Sequence, residues 1–158
     1  MRSQWGPLET GRAAAVWQEA RPRFCAQVLG PHFEELCRQY AVAAPLSVFG
    51  AIPGEVGSGV VSDPQGRTSI QIDVVVLEPA GPKESRRVLS LGEVKYGEVM
   101  GTPHVERLRR AASLLSLRGY DTRDTVLACY SGAGFSPELL SSEGTRLRLI
   151  GPHQLYAG

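Results

Sequence analysis

No stretch of the 158-residue sequence approaches the roughly 18 consecutive apolar residues of a membrane span. The opening MRSQWGPLETGR also lacks the apolar segment of a signal peptide. Both absences predict a soluble, cytoplasmic protein with no membrane partner. Cysteine is scarce. Cys25, Cys37 and Cys129 are odd in number and lack metal-ligand spacing, which argues against a disulfide framework and a structural zinc site. Cys37 and Cys129 lie in apolar contexts and are read as small core residues. Aromatic residues make up 7% of the chain without clustering, so there is no stacking platform for single-stranded nucleic acid. Net charge is nearly absent, +1 from 17 basic and 16 acidic residues, and wholesale basicity is excluded. There is no internal repeat, and no GxxxxGKS or GxxxxGKT loop of the P-loop ATPases.

What is present divides into runs of different period. Residues 1–23 read as a lead-in and helix: Gly6, Pro7 and Gly11 come first, then a helical pattern from Ala13 to Ala20, interrupted by Pro22 and anchored by Trp17. In HFEELCRQYA, Phe33, Leu36, Cys37 and Tyr40 fall at i, i+3, i+4 and i+7, one apolar helical stripe with Pro31 in its first turn and Glu34 at its border. LSVFGAI, TSIQIDVVVLE and RRVLSLGEVKY are β-branched-rich runs separated by turn-like GEVGSG, SDPQG and PAGPKE. The short connection between the second and third runs predicts an antiparallel hairpin. Strict alternation puts Ile70, Ile72, Val74 and Val76 on one face of the second run, and Gln71, Asp73, Val75 and Leu77 on the other. Leu89, Leu91, Glu93 and Lys95 share a face of the third. Largely apolar faces imply a central pair of strands covered by helices.

Downstream, Thr102 can cap a helix that has Pro103 at its first position, Val105, Leu108, Ala112 and Leu115 along one face, and Gly119 as terminator. TVLACY reads as a strand, Ser136 caps a short helix starting at Pro137, and TRLRLIG is a closing strand. The order helix, three strands, helix, strand, short helix, strand predicts an α/β domain with a mixed β-sheet flanked by helices.

Two acids break the strand pattern. Asp73 is the only acidic residue from Ile70 to Leu77, and Glu93 repeats the anomaly on the next run. An ionised carboxylate in a covered sheet is costly unless it is paired or ligates a metal. Lys95 projects on the same side as Glu93, about 7 Å along the strand. A hard divalent ion between the acids would relieve their repulsion, with Lys95 placed to contact a phosphate or activate water. A Glu93–Lys95 ion pair, or Asp73 paired with Lys95, explains the same residues without chemistry. Nine Lys and Arg stand against five Asp and Glu from Lys83 to Arg123. Arg107, Arg109, Arg110 and Arg118 spread around the predicted helix, where a subset can contact phosphates or simply keep the surface soluble. Gln71 can hydrogen-bond a phosphate or Glu34. His32, His104 and His153 share no motif, and SGAGF is not a GxSxG nucleophile elbow.

FEELCRQY, IQIDVVVLEP, LGEVKYGE and YSGAGFSPEL stand in the order and approximate spacing of the PD-(D/E)xK restriction-endonuclease-like superfamily. Residues 24–156 resemble most the C-terminal domain, known as DUF234, of archaeal and bacterial AAA-type ATPases. The resemblance implies a restriction-endonuclease-like core over residues 24–158 and hydrolysis of DNA phosphodiesters with Mg²⁺ or Mn²⁺. Carried over residue by residue, it makes Glu34 the helix acid, with Glu35 as the alternative, Asp73 and Glu93 the metal carboxylates, and Lys95 the lysine that helps activate water. Gln71, Lys95, Arg107, Arg109 and Arg110 are the expected DNA contacts. Ile72 replaces the motif's nominal proline. The implied partners are DNA, an AAA-type ATPase domain or separate polypeptide, and a second copy in a homodimer. The alternative is a non-catalytic DNA- or protein-interaction module that docks to an ATPase.

Overall fold

A computed structural model describes residues 30–79, 81 and 85–156. The lead-in, the pattern at 13–20 with Trp17, and Cys25 lie outside the described residues. The described chain runs α1 (Gly30–Val42), α2 (Leu46–Phe49), β1 (Glu55–Asp63), β2 (Thr68–Leu77), β3 (Val88–Lys95), α3 (Thr102–Leu117), β4 (Val126–Ser131), α4 (Pro137–Ser141), β5 (Leu147–Ile150) and α5 (Pro152–Tyr156). One five-stranded sheet holds them in the order β1-β2-β3-β4-β5. β1, β2 and β3 pair antiparallel, whereas β3, β4 and β5 pair parallel. The class is therefore α/β, with a mixed sheet flanked by helices. Among the described residues no helix is long and apolar enough to cross a membrane.

Each face of the sheet carries its own core. α3 buries Val105, Leu108, Ala111 and Leu114 against Leu91, Leu127, Cys129 and Leu149. On the opposite face, α1 buries Phe33, Cys37 and Ala41 against Val74, Val76, Val94 and Tyr130. Full burial of such a side chain stabilises by about 1.5–3 kcal/mol. Cys37 and Cys129 are free and buried, as expected, and burial pushes both thiols up to about 12.

Several boundaries differ from the sequence expectation for local reasons. LSVFGAI is not a strand. Pro45 enters in an extended conformation, Leu46–Phe49 makes one helical turn, and Gly50, at φ 77°, closes it with its N–H donating to Leu46 O at 2.7 Å. The first strand instead covers most of GEVGSG, the run read as a turn. β1 occupies a sheet edge among the described residues, where Val56 and Val60 pair with Val76 and Gln71 of β2, and that ladder outweighs the weak strand preference of glycine. Gly101, not Thr102, is the N-cap of α3, and its N–H donates to His104 Nδ1 at 3.0 Å. The buried stripe of α3 includes Ala111 and Leu114, with Ala112 and Leu115 only half-buried. Ser136 caps α4 as expected, its Oγ accepting from Leu139 N–H at 3.2 Å.

Strict alternation fails in both central strands. Between Gly57↔Val75 and Gly59↔Ile72, β2 spends two residues, Asp73 and Val74, opposite the single Ser58. This β-bulge sends Ile70 and Ile72 to the α3 side while Val74 and Val76 pack on the α1 side. β3 has its own slip, because Val76 pairs with Ser90 but Leu77 pairs with Val88. Leu89 consequently joins the α1-side core while Leu91 joins the other.

Gly92 is a packing requirement. A Cβ there would lie 2.6 Å from Tyr130 Cε2 and 3.2 Å from Val74 Cβ, and Tyr130 is fully buried. The β1–β2 turn is held differently. Asp63 takes both Arg110 Nε and Nη2, at 3.1 and 2.8 Å, and accepts the Gly66 N–H at 3.2 Å. Arg118 Nη2 reaches Ser62 O and Oγ at 2.7 and 2.9 Å.

Gly92→Ala should destabilise the fold by about 1–3 kcal/mol through overpacking, read as a lower urea midpoint with an unchanged slope. The Arg110 guanidinium and the Gly66 N–H hold the Asp63 carboxyl down to about 2, below its ordinary 3.8. A depressed carboxylate contributes stability above its ordinary value and loses it as pH falls through the folded one. The stability gap between wild type and Asp63→Asn should therefore be constant near neutrality and narrow from about pH 4 to pH 2. Parallel pH-melting series of the two proteins measure this.

Candidate functional site

The site begins where two strands part. β2 pairs with β1 from Thr68 to Leu77 but with β3 only from Val74 to Leu77. Asp73 is the first β2 residue beyond the β2–β3 ladder. There Val94 N–H donates to Asp73 Oδ2 at 2.9 Å, and the Asp73 carbonyl accepts from Arg38 Nη1 at 3.2 Å. A side-chain carboxylate thus stands where a β2 carbonyl would continue the ladder. The bulge supplies the room, and bulges commonly re-aim a side chain in this way.

β3 continues along β4 as far as Lys95↔Ser131, so Glu93 is held between the fork and a parallel neighbour. Its side chain is 5% exposed. Oε1 accepts from Arg107 Nη1 at 3.2 Å and lies 4.0 Å from Lys95 Nζ. Oε2 is buried and has no hydrogen-bond partner among the described residues. Burial is the main cause that raises the Glu93 carboxyl above its ordinary value; Arg107, His104 and Lys95 oppose the rise and Asp73 adds to it. Lys95 lies beyond hydrogen-bond distance of Glu93 and is 37% exposed. It is therefore not locked between the two acids.

α1 brings Glu34 to the same place from the other side of the sheet. Its carboxyl is raised, first by burial and then by Asp73, while Arg38 and Lys95 oppose the rise. Glu34, Asp73, Glu93 and Lys95 thus share one electrostatic neighbourhood. Among the described residues, however, no three His, Cys, Asp or Glu side chains form a group able to hold a metal ion. Glu35, the alternative helix acid, is exposed, and its Oε2 accepts from Arg38 Nε and Nη2 at 3.2 and 3.1 Å.

The remaining expected residues scatter. Gln71 is exposed, and the bulge interrupts the alternation that would set it beside Asp73. Arg109 pairs with Glu106 and lines a separate cleft of about 890 Å³ between α3 and the loop before β5. Arg110 is committed to Asp63. Ser131 serves the turn, accepting from Ala133 and Gly134 N–H and donating to Glu98 O. His32 and His153 are exposed. Tyr96 packs edge-on against Phe33, with ring centroids 5.5 Å apart.

Two residues that the sequence reading left without a site role belong here. Arg38 ties α1 to the Asp73 carbonyl, and its i+4 spacing from Glu34 was the only available signal. His104 lies near enough to lower the Glu93 carboxyl, with Nε2 3.8 Å from Glu98 Oε1. Nothing in the sequence marked it. The chain matches no family model, no curated protein and no solved structure.

Ionising Glu93 costs the folded state more than the unfolded one. Stability contributed by this group therefore falls as pH rises from the ordinary 4.5 through the raised folded value. Glu93→Gln should make the ion-free protein more stable at pH 7, read as a higher melting temperature. The advantage should vanish below the ordinary carboxylate range. Thermal melts of both proteins from pH 4 to pH 8 provide the comparison.

Proposed function

We propose that this chain is a divalent-metal-dependent DNA phosphodiesterase domain on a restriction-endonuclease-like core. One observation carries the reading: a buried Glu93 carboxylate keeps an oxygen without a partner among the described residues, beside Asp73 at a strand fork, with a half-exposed lysine next to it. A buried charge left incomplete in this way is expensive in a purely structural role. The element order also supports the proposal, with Glu34 on the helix before the sheet, Asp73 on β2, and Glu93 and Lys95 on the next strand.

The donors fit a hard ion. Asp73 and Glu93 would hold Mg²⁺ or Mn²⁺, and water and a substrate oxygen would fill the remaining positions, since two protein carboxylates suffice for such ions. When bound, the ion would stabilise the negative charge that builds up on the phosphate oxygens. Glu93, shielded from solvent, keeps its geometry through the strand backbone on both sides. Lys95 orients the attacking water with its donors and, by its charge, favours loss of the water's proton. Glu34 accepts hydrogen bonds from water at the solvent side, and Arg107 offers a phosphate contact. Attack is in line, with no covalent intermediate on the protein: the water oxygen bonds to phosphorus as the bond to the leaving sugar oxygen breaks, the water's proton passes to solvent, and solvent protonates the leaving oxygen. The same reading makes DNA the partner and the cytoplasm the location; an AAA-type ATPase partner and a homodimer follow from the resemblance alone.

A second reading, the non-catalytic docking module, is favoured by the Arg107 guanidinium, which already neutralises Glu93. Cleavage separates the two. Wild type incubated with duplex, nicked, branched and single-stranded DNA in Mn²⁺ should cut at least one substrate, and Asp73→Ala, Glu93→Ala and Lys95→Ala should lower the rate about 100-fold or more. Mn²⁺ should also raise the wild-type melting temperature saturably, and do so much less in the two acid variants. Absence of cutting on every substrate, or equal cutting by Asp73→Ala, rules the enzyme out.

A further inference from the structure

α3 presents two arginines three residues apart, and their attachments contrast. Arg110 grips Asp63 with two nitrogens, at 3.1 and 2.8 Å. Arg107 holds Glu93 with one, Nη1 at 3.2 Å, and its side chain is 44% exposed. A monodentate guanidinium with its remaining donors towards water is a weak anchor beside a bidentate one. Yet it is the nearest strong donor to a carboxylate that needs one, because Lys95 stops at 4.0 Å.

We propose that Arg107 is a displaceable stand-in for the ion: it neutralises Glu93 while the site is empty, yields the carboxylate to an arriving divalent ion, and then contacts the substrate phosphate. This rests on the ion-site reading above. The formal charges favour the exchange. With Arg38 balanced by its partner Glu35 at 3.1 Å, Glu34, Asp73 and Glu93 contribute three negative charges, and Lys95 and Arg107 two positive ones. A divalent ion turns a deficit of one into an excess of one, and a phosphodiester, which carries a single negative charge, neutralises that excess. Arg107 can move without unpacking the core, because the buried stripe of α3 is formed by its neighbours Val105 and Leu108. A guanidinium freed at this place has the planar donor set that suits a phosphate. Ion and arginine thus compete for the charge of one carboxylate in the free protein but cooperate once DNA is bound.

The test titrates Mn²⁺ alone, read by the paramagnetic signal of the free ion, into wild type, Arg107→Gln, Arg107→Lys and Asp73→Asn, with melting curves to verify folding. The titrations are then repeated with a short duplex carrying phosphorothioate linkages. Without DNA, Arg107→Gln should bind Mn²⁺ about fivefold or more tightly than wild type, a typical coupling between sites. Arg107→Lys, which keeps the charge, should remain near wild type. The duplex should tighten Mn²⁺ binding in wild type and clearly less in Arg107→Gln. Equal or weaker Mn²⁺ binding by Arg107→Gln, with Asp73→Asn abolishing it, overturns the stand-in role and leaves the ion site. Binding by none of the proteins overturns both.

Discussion

Burial of a single carboxylate governs this structure. Glu93 lies in the strand that joins the antiparallel and parallel halves of the sheet, just past the end of the β2–β3 ladder and paired with Cys129 of β4, so on the β4 side no room opens for water without breaking a ladder. The charge must be answered from the side, and cations on two elements do so: Arg107 from α3, and Lys95 from β3 itself. Answering it incompletely leaves Oε2 without a partner among the described residues. The consequences spread outwards. α3 lies across this face and brings Arg107 to the acid, and it starts with the Gly101 N–H donating to His104 Nδ1.

The second half of the arrangement is a division of labour between sheet faces. α1 approaches one side with Glu34 and with Arg38, whose hydrogen bond to the Asp73 carbonyl stabilises the fork. α3 approaches the other side and anchors the projecting β1–β2 turn through Arg110 and Arg118. Asp73 stands between these supports with one oxygen committed to Val94 N–H. Support by backbone and by packed helices is what keeps functional side chains close to a productive geometry. The site is thus built mainly on regular elements.

Much of the fold was legible where the chain carries its own punctuation. Pro103 and Gly119 bracket α3, Ser136 and Pro137 start α4, and the spacing of β2 and β3 announced their hairpin. The acids Asp73 and Glu93 and the lysine were visible as misfits within apolar runs. What stayed hidden depends on pairs of strands rather than on one. A bulge is a mismatch in count between neighbours, and no period within TSIQIDVVVLE reveals that Ser58 faces two residues. The same holds for β1, whose glycines read as a turn until β2 is beside them. Arg107 and Arg110 looked equivalent on the helix, and only the positions of Glu93 and Asp63 in space separate the loosely held one from the clamped one.

The bulge has a consequence for how this domain can vary. β2 changes faces between Ile72 and Val74, so its two halves are correctly buried only if the extra residue is kept. Deleting one residue there would realign the ladder and turn one half over, moving either Ile70 and Ile72 or Val74 and Val76 to the opposite face of the sheet and out of the core each now packs in. Replacing the Asp73 side chain leaves that count intact. Evolution can therefore exchange the chemistry at position 73 by point substitution, whereas insertions and deletions across this part of β2 are barred: the identity of the residue is negotiable and its address is not.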